Sequence, residues 1–210
     1  MAKRIVHVVD YLMPTLGYQE FLLPKWNAKF DHEVYIVTSD RYYPVPNYEE
    51  TWGKTLGDRI CGTGSEKLEK VKIIRLPVYF EFKARPLIKN LIKQVKSLDP
   101  DLVFVHGTGS FSIYQCSLAF RGSNTQVFAD NHMIKEVVQK GFMQTIYYTL
   151  HKFFIKHFIS NYIDYFIGTS PSSCKYMEDC EGVPKSKMAI LDIGIDTNIF
   201  KPSTEKIENK

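Results

Sequence analysis

Seven short apolar runs recur along this chain, and the segments between them carry apolar residues at helical spacing. The runs are Ile5–Val9, Glu33–Ser39, Val71–Leu76, Leu102–Val105, Gln126–Ala129, Tyr162–Ile167 and Met188–Leu191. Their apolar, β-branched character suits strands covered on both faces, as in a parallel sheet. Strand–helix–strand repeats of this kind demand right-handed crossovers. The expectation is an α/β fold: a single Rossmann-like, doubly wound domain with a mainly parallel sheet of about seven strands and helices on both faces. At 210 residues the chain has room for one good core and is marginal for two.

Helical spacing places a helix from Pro86, with Leu87, Ile88, Leu91, Ile92, Val95 and Leu98 on one side. Lys89, Lys93 and Lys96 lie on the other side, and Asp99-Pro100 stops it. Further helices are expected over Gln19–Lys29, Ser112–Arg121 and Ser172–Cys180. Pro24 either kinks the first of these or marks where its regular part begins. The excursion from Asp40 to Glu69 breaks the rhythm, and its tyrosines and Trp52 argue for order rather than disorder.

Several function classes fall away on composition. The chain is 44% hydrophobic and 24% charged, with no low-complexity tract. A net charge of +4 is too small to argue for nucleic acid by itself. Met1-Ala2-Lys3-Arg4 leads directly into an apolar run too short and too polar for a signal peptide. No apolar stretch is long enough to span a bilayer. Cys61, Cys116, Cys174 and Cys180 form no CxxC pair, which favours reduced thiols and a cytoplasmic setting.

Ligands of doubly wound sheets bind beyond the C-terminal ends of the strands, so four loops are candidates. After the first run come Gly17, Tyr18 and Gln19, where a glycine before a helix allows close approach of an anion. The alternative is a simple turn. His106, Gly107 and Thr108 begin a second loop, a cradle for phosphate or sugar hydroxyls or equally a turn with a serine N-cap. Asp130, Asn131 and His132 form the third, where a histidine can bond a hydroxyl or hold a proton near neutrality. In that loop, Asp130 or Asn131 could instead cap the next helix. Ser170, in the fourth, reads most simply as a helix cap.

The segment from Phe142 to Tyr162 is apolar almost all round, with His151, Lys152, Lys156 and His157 interspersed. It suits a helix packed between the sheet and a neighbouring domain or subunit. The other reading is a basic, aromatic membrane-interface helix.

Two strings carry a resemblance to a known family. One is Gly182-Val183-Pro184-Lys185-Ser186-Lys187 followed by Gly194-Ile195-Asp196-Thr197-Asn198-Ile199-Phe200-Lys201-Pro202. The other is Val34-Tyr35-Ile36-Val37-Thr38-Ser39-Asp40 after the Gly17-Tyr18-Gln19-Glu20 turn. Their order and spacing resemble the N-terminal, acceptor-side domain of a retaining family 4 (group 1) glycosyltransferase of the GT-B fold. Asp192-Ile193 replaces the usual Pro-Asn, and Leu16 stands where a second glycine is usual.

The resemblance implies transfer of a sugar from a UDP- or GDP-linked donor to an acceptor hydroxyl with retention, in glycan, glycolipid or envelope polysaccharide synthesis. It implies no cofactor and no metal. Residues 1–202 would form the acceptor-side domain and 203–210 the start of a linker. Gly194 and Asp196 would lie at the hinge, and the donor-binding domain would be absent. His132 would contact the donor sugar as the catalytic position. Gly17, Tyr18, Gln19, His106, Gly107, Thr108, Asp130, Asn131 and Ser170 would border donor and acceptor. The acceptor would be a glycan or lipid-linked, with peripheral contact to the inner membrane face through 142–162. Alone, this half would not turn over. Two other readings stay open: a non-catalytic sugar- or nucleotide-binding module (or subunit of a two-chain transferase), and half of a sugar-nucleotide 2-epimerase.

Overall fold

The computed structural model describes residues 1–137, 141–194 and 197. The strands are β1 (Arg4–Val9), β2 (Glu33–Ser39), β3 (Gly64–Leu68), β4 (Val71–Leu76), β5 (Val78–Glu81), β6 (Pro86–Ile88), β7 (Leu102–His106), β8 (Gln126–Asn131), β9 (Tyr165–Gly168) and β10 (Met188–Ile190). The helices are α1 (Gln19–Lys29), α2 (Gly53–Leu56), α3 (Leu91–Ser97), α4 (Phe111–Ala119), α5 (Phe142–Phe154) and α6 (Pro171–Tyr176).

The main sheet has eight strands in the order β10-β9-β8-β7-β1-β2-β4-β3. All seven apolar runs lie in it as parallel neighbours. Only β3 runs antiparallel, on the edge beside β4. Every residue of β3 is exposed, which is how an edge strand of Gly, Ser, Glu and Lys stays soluble.

Alternation along the strands splits the core into two. Val34 and Ile36 of β2 join Phe21 and Ala28 of α1 on one face, with Val71 and Ile73 of β4. Val6, Val8 and Val37 join Leu91 and Val95 of α3 and Ile113 and Cys116 of α4 on the other. Burying each of the Val, Leu, Ile and Phe side chains contributes about 1.5–3 kcal/mol. The doubly wound expectation holds, with helices on both faces. His7 lies between Val6 and Val8 and therefore points to the α1 side.

Three expectations need correction. Pro86 does not start a helix: it starts β6, which pairs antiparallel with β5, and the helix begins at Leu91. Leu87 and Ile88 satisfy the helical stripe and the short strand equally well, and the Lys89 N–H donates to the Pro77 carbonyl instead of to a helical turn. Asp130 and Asn131 are not loop residues: β8 runs on through them, pairing with His106 of β7 and Gly168 of β9. The helix expected to reach Cys180 is regular only to Tyr176. A π-helical turn, Met177–Glu181, completes it, and Gly182 ends it with φ +74°.

The remaining segments follow the sequence more closely. Helix α1 runs through Pro24 from Gln19. The Asp40–Glu69 excursion is partly ordered by α2, β3 and a bridge between Arg41 and Ile60. Helix α5 continues as a π turn over Ile155–Ile159. All four cysteines are unpaired. Among the described residues no helix is long and apolar enough to cross a membrane. Gly194 is exposed and outside any element, while Asp196 and 198–210 lie outside the described residues.

Candidate functional site

From β1 the sheet extends in one direction through β2, β4 and β3, and from β7 in the other through β8, β9 and β10. The β1/β7 seam is thus the switch point of the sheet, and a crevice opens there beyond the strand ends. A cleft of about 420 Å³ occupies it, lined by Asp10 after β1, His106 at the end of β7 and Gly107 after it, and Asp130, Asn131 and His132 from the end of β8. Glu20 of α1, Arg85 before β6, Tyr148 of α5, Tyr176 of α6 and Glu181 complete the walls.

Asp130 is fully buried beneath the cleft, and a chain of polar groups converges on it. Asn27 Nδ2 lies 3.1 Å from His7 Nε2, and His7 Nδ1 lies 3.0 Å from His106 Nε2. His106 Nδ1 is 3.0 Å from Asp130 Oδ2. The Gly107 N–H donates to Oδ1 at 2.9 Å, and Gln19 Nε2 donates to Oδ2 at 3.4 Å. On the cleft side, His132 Nε2 sits 3.4 Å from the same Oδ2.

Burial opposes the charge of Asp130, yet the pull and hydrogen bond of His106, followed by those of His132, outweigh it. The carboxyl lies well below the usual range. The hydrogen bond to Asp130 raises the pKa of His132 against a cost of desolvation, with further support from Asp130 and Glu20 charge. His7 is driven well below its ordinary value by burial and by neighbouring His106, and is neutral.

A second buried network backs the opposite wall. The Thr108 hydroxyl donates to Glu181 Oε2 at 2.6 Å and accepts from Asn131 Nδ2, which also reaches Glu181 Oε1 at 3.2 Å. His151 Nε2 of α5 stands 3.6 Å from that oxygen, and Tyr114 bonds the other ring nitrogen. All of these groups but Tyr114 are almost inaccessible, so each depends on its partners.

The outer wall is a hairpin. Phe82 and Arg85 exchange backbone hydrogen bonds of 3.0 Å around Lys83 and Ala84, both at positive φ (46° and 56°). Non-glycine residues rarely take this conformation. It delivers Arg85 to the cleft, where Nε donates to the Gly109 carbonyl at 2.7 Å and the guanidinium rests 4.5 Å over the Tyr147 ring. Nearby, burial raises the Asp10 carboxyl to about 7, against the opposing hydrogen bond from Ser112 and the charge of Arg85.

The residues singled out in the sequence divide into three groups. His132, Asp130, Asn131, His106 and Gly107 meet at the cleft. Both ring nitrogens of His106 are engaged internally, so it supports Asp130 rather than presenting a hydrogen bond. Gln19 reaches Asp130 from the start of α1, while Gly17 makes the turn before it at φ +72° and Tyr18 stands exposed at the cap position. Thr108 lies behind the wall at no exposure. Ser170 accepts from the Ser173 N–H in a capping box of α6 and lies outside the cleft lining. Ser110 likewise caps α4.

Sequence reading missed His7, Asn27, Arg85 and Glu181 as part of the site. A histidine flanked by valines inside an apolar strand was the one available signal, since it must find a partner once buried. Among the described residues, no three His, Cys, Asp or Glu side chains converge as a metal site.

Residues 25–199 match Glycosyltransferase Family 4. The chain belongs to that family. Compared with curated proteins, the sequence finds no match. Solved structures share the fold of this family 4 domain. Sucrose-phosphate synthase from Thermosynechococcus elongatus superposes with a TM-score of 0.62 at 15% identity, over 96% of this chain and 50% of that one. Anabaena HepE in complex with UDP and glucose gives 0.58 at 11%, over 96% and 47%. A glycosyltransferase from Rickettsia africae gives 0.57 at 11%, over 99% and 47%. The family 4 chain therefore spans about half the length of these structures and corresponds to the N-terminal Rossmann-like domain of the GT-B fold.

Proposed function

We propose that this chain is the acceptor-side half of a glycosyltransferase that moves a sugar from a nucleotide diphosphate to an acceptor hydroxyl, with retention at the anomeric carbon. The observation that carries the reading is the cleft at the switch point, with His132 on its rim held by buried Asp130. UDP is the favoured nucleotide, because HepE carries UDP or UDP-glucose in the same fold. In this reading His132 meets a hydroxyl of the donor sugar, and the turn at Gly17 faces the diphosphate at the start of α1. The acceptor lies against Asp10 and Arg85. Groups that stabilise the leaving diphosphate come from a second, donor-binding domain beyond the hinge at Gly194 and Asp196.

The test is a transfer assay with UDP- and GDP-sugars on two proteins: the 210-residue chain and the same chain continued by a donor-binding domain. No transfer is expected from the first and transfer from the second. Turnover by the short chain would refute the missing-half reading.

A specific surface favours peripheral contact with the cytoplasmic membrane face as well. Phe142, Met143, Ile146, Leu150 and Phe153 are all exposed along α5, Phe142 at 80%. No Asp or Glu occurs from Phe142 to Ile163, whereas Lys152, Lys156 and His157 are exposed there. Apolar, aromatic and basic groups on one helix suit an anionic bilayer. Co-sedimentation with anionic vesicles at low salt is expected, and failure to pellet would sink this idea.

A further inference from the structure

We infer that Asn27, His7 and His106 are positioning residues that fix His132 as its Nε2–H tautomer, with Nδ1 left to accept a hydrogen bond in the cleft. Hydrogen bonds can run along this line in two directions if both inner histidines are neutral. In one, Asn27 donates to His7 Nε2, His7 Nδ1–H donates to His106 Nε2, and His106 Nδ1–H donates to Asp130. The other reverses every bond, which requires the Asn27 amide to turn its Oδ1 toward His7 Nε2, and ends with a protonated Asp130 donating to His106. The Asp130 end decides between them. Its oxygens already face the Gly107 N–H at 2.9 Å and the Gln19 amide at 3.4 Å, both of which are donors. A buried carboxyl ringed by donors is a carboxylate that only accepts.

That choice propagates outward. His132 Nε2, 3.4 Å from the same carboxylate, must carry a hydrogen to be stable there. Its Nδ1 is then the acceptor when the ring is neutral. The charged groups facing His132 are Asp130 from β8 and Glu20 from α1, with Gln19 of α1 and His106 of β7 bonded to the carboxylate. This resembles the logic by which a buried carboxylate sets the tautomer of a reactive histidine in hydrolases, here with three further groups orienting the carboxylate. The role of Nδ1 toward a sugar hydroxyl rests on the proposed function; the tautomer itself does not.

Long-range proton–nitrogen NMR on the histidine-labelled 210-residue chain tests this without any sugar. His7 and His106 are expected as Nδ1–H, and His132 as Nε2–H with a pKa above the ordinary value of about 6.5. Asp130→Asn should lower the His132 pKa and loosen its tautomer preference. Glu20→Gln should lower the pKa less and leave the tautomer unchanged. The wild-type pattern carries the test even where Asp130→Asn does not fold. Nε2–H on His7 or His106, Nδ1–H on His132, or a His132 titration indifferent to Asp130→Asn would overturn the inference. A lack of sugar transfer in any assay bears on the proposed function and leaves this result standing.

Discussion

Gly168→Ala offers a quantitative check on how closely α6 meets the end of β9. Gly168 closes β9 and pairs with Asn131 and with Ile190. A Cβ built there would lie 2.4 Å from Cys174 Sγ, 2.9 Å from Ser173 Oγ and 3.0 Å from the Cys174 backbone nitrogen. The thiol can rotate away, because Cys174 is partly exposed. The backbone nitrogen cannot, and Ser173 is held in the capping box with Ser170. Helix α6 must therefore back off, at a cost of about 1–3 kcal/mol for overpacking. Disturbing the cap adds roughly 1 kcal/mol. For a chain of this size the sum lowers Tm by about 4–16 °C. Calorimetry on the single variant and on Gly168→Ala combined with Cys174→Ala measures both parts. The double variant should recover the thiol's share and no more. A Tm for Gly168→Ala within about 2 °C of wild type would refute the close approach.

Three further outcomes are expected. Asp10 keeps its proton to about 7 when folded, whereas an unfolded aspartate loses it near its ordinary 3.8. The folded state binds the extra proton between those values, so stability falls as pH rises through that window. Asp10→Asn should then stabilise the chain at pH 8 by on the order of 4 kcal/mol and not at pH 4, read from urea midpoints. Thr108→Val removes the donor to Glu181 and the acceptor for Asn131, at a cost of about 1–3 kcal/mol by the same titration. Phe142→Asp with Phe153→Asp should abolish vesicle pelleting without changing Tm, since both rings are exposed; unchanged pelleting would place lipid contact elsewhere.

The parallel sheet was legible because its seven strands must be apolar on both faces, and composition records that demand directly. The edge strand β3 was not, because Gly64 to Leu68 buries nothing and its hydrogen bonds to β4 leave no hydropathy trace. Likewise Asp130 and Asn131 read as loop because they are polar, although pairing with β7 and β9 keeps them in the strand. The site was legible in part for the same reason. Loops after strands could be named from position, and His132 with them. The partners of Asp130 come from 23 to 111 residues away in sequence, apart from His132. No local pattern links such distant groups. Pro86 failed differently: a helical stripe continued backward into Leu87 and Ile88 by coincidence, and the hairpin took those two residues.

The β1/β7 seam also sets the order in which this domain can be made. Ile5 aligns with Leu102, so the first strand cannot bond its second neighbour until half of the chain exists. His7 waits equally long for His106, and Asp130 arrives later still. At about 5–20 residues per second on the ribosome, β1 spends several seconds with one open edge and a His7 ring that lacks its Nδ1 partner. A nascent chain halted near residue 100 should therefore remain protease-sensitive at its N-terminus, and one carried past β8 should not. The strand synthesised first is among the last to be completed.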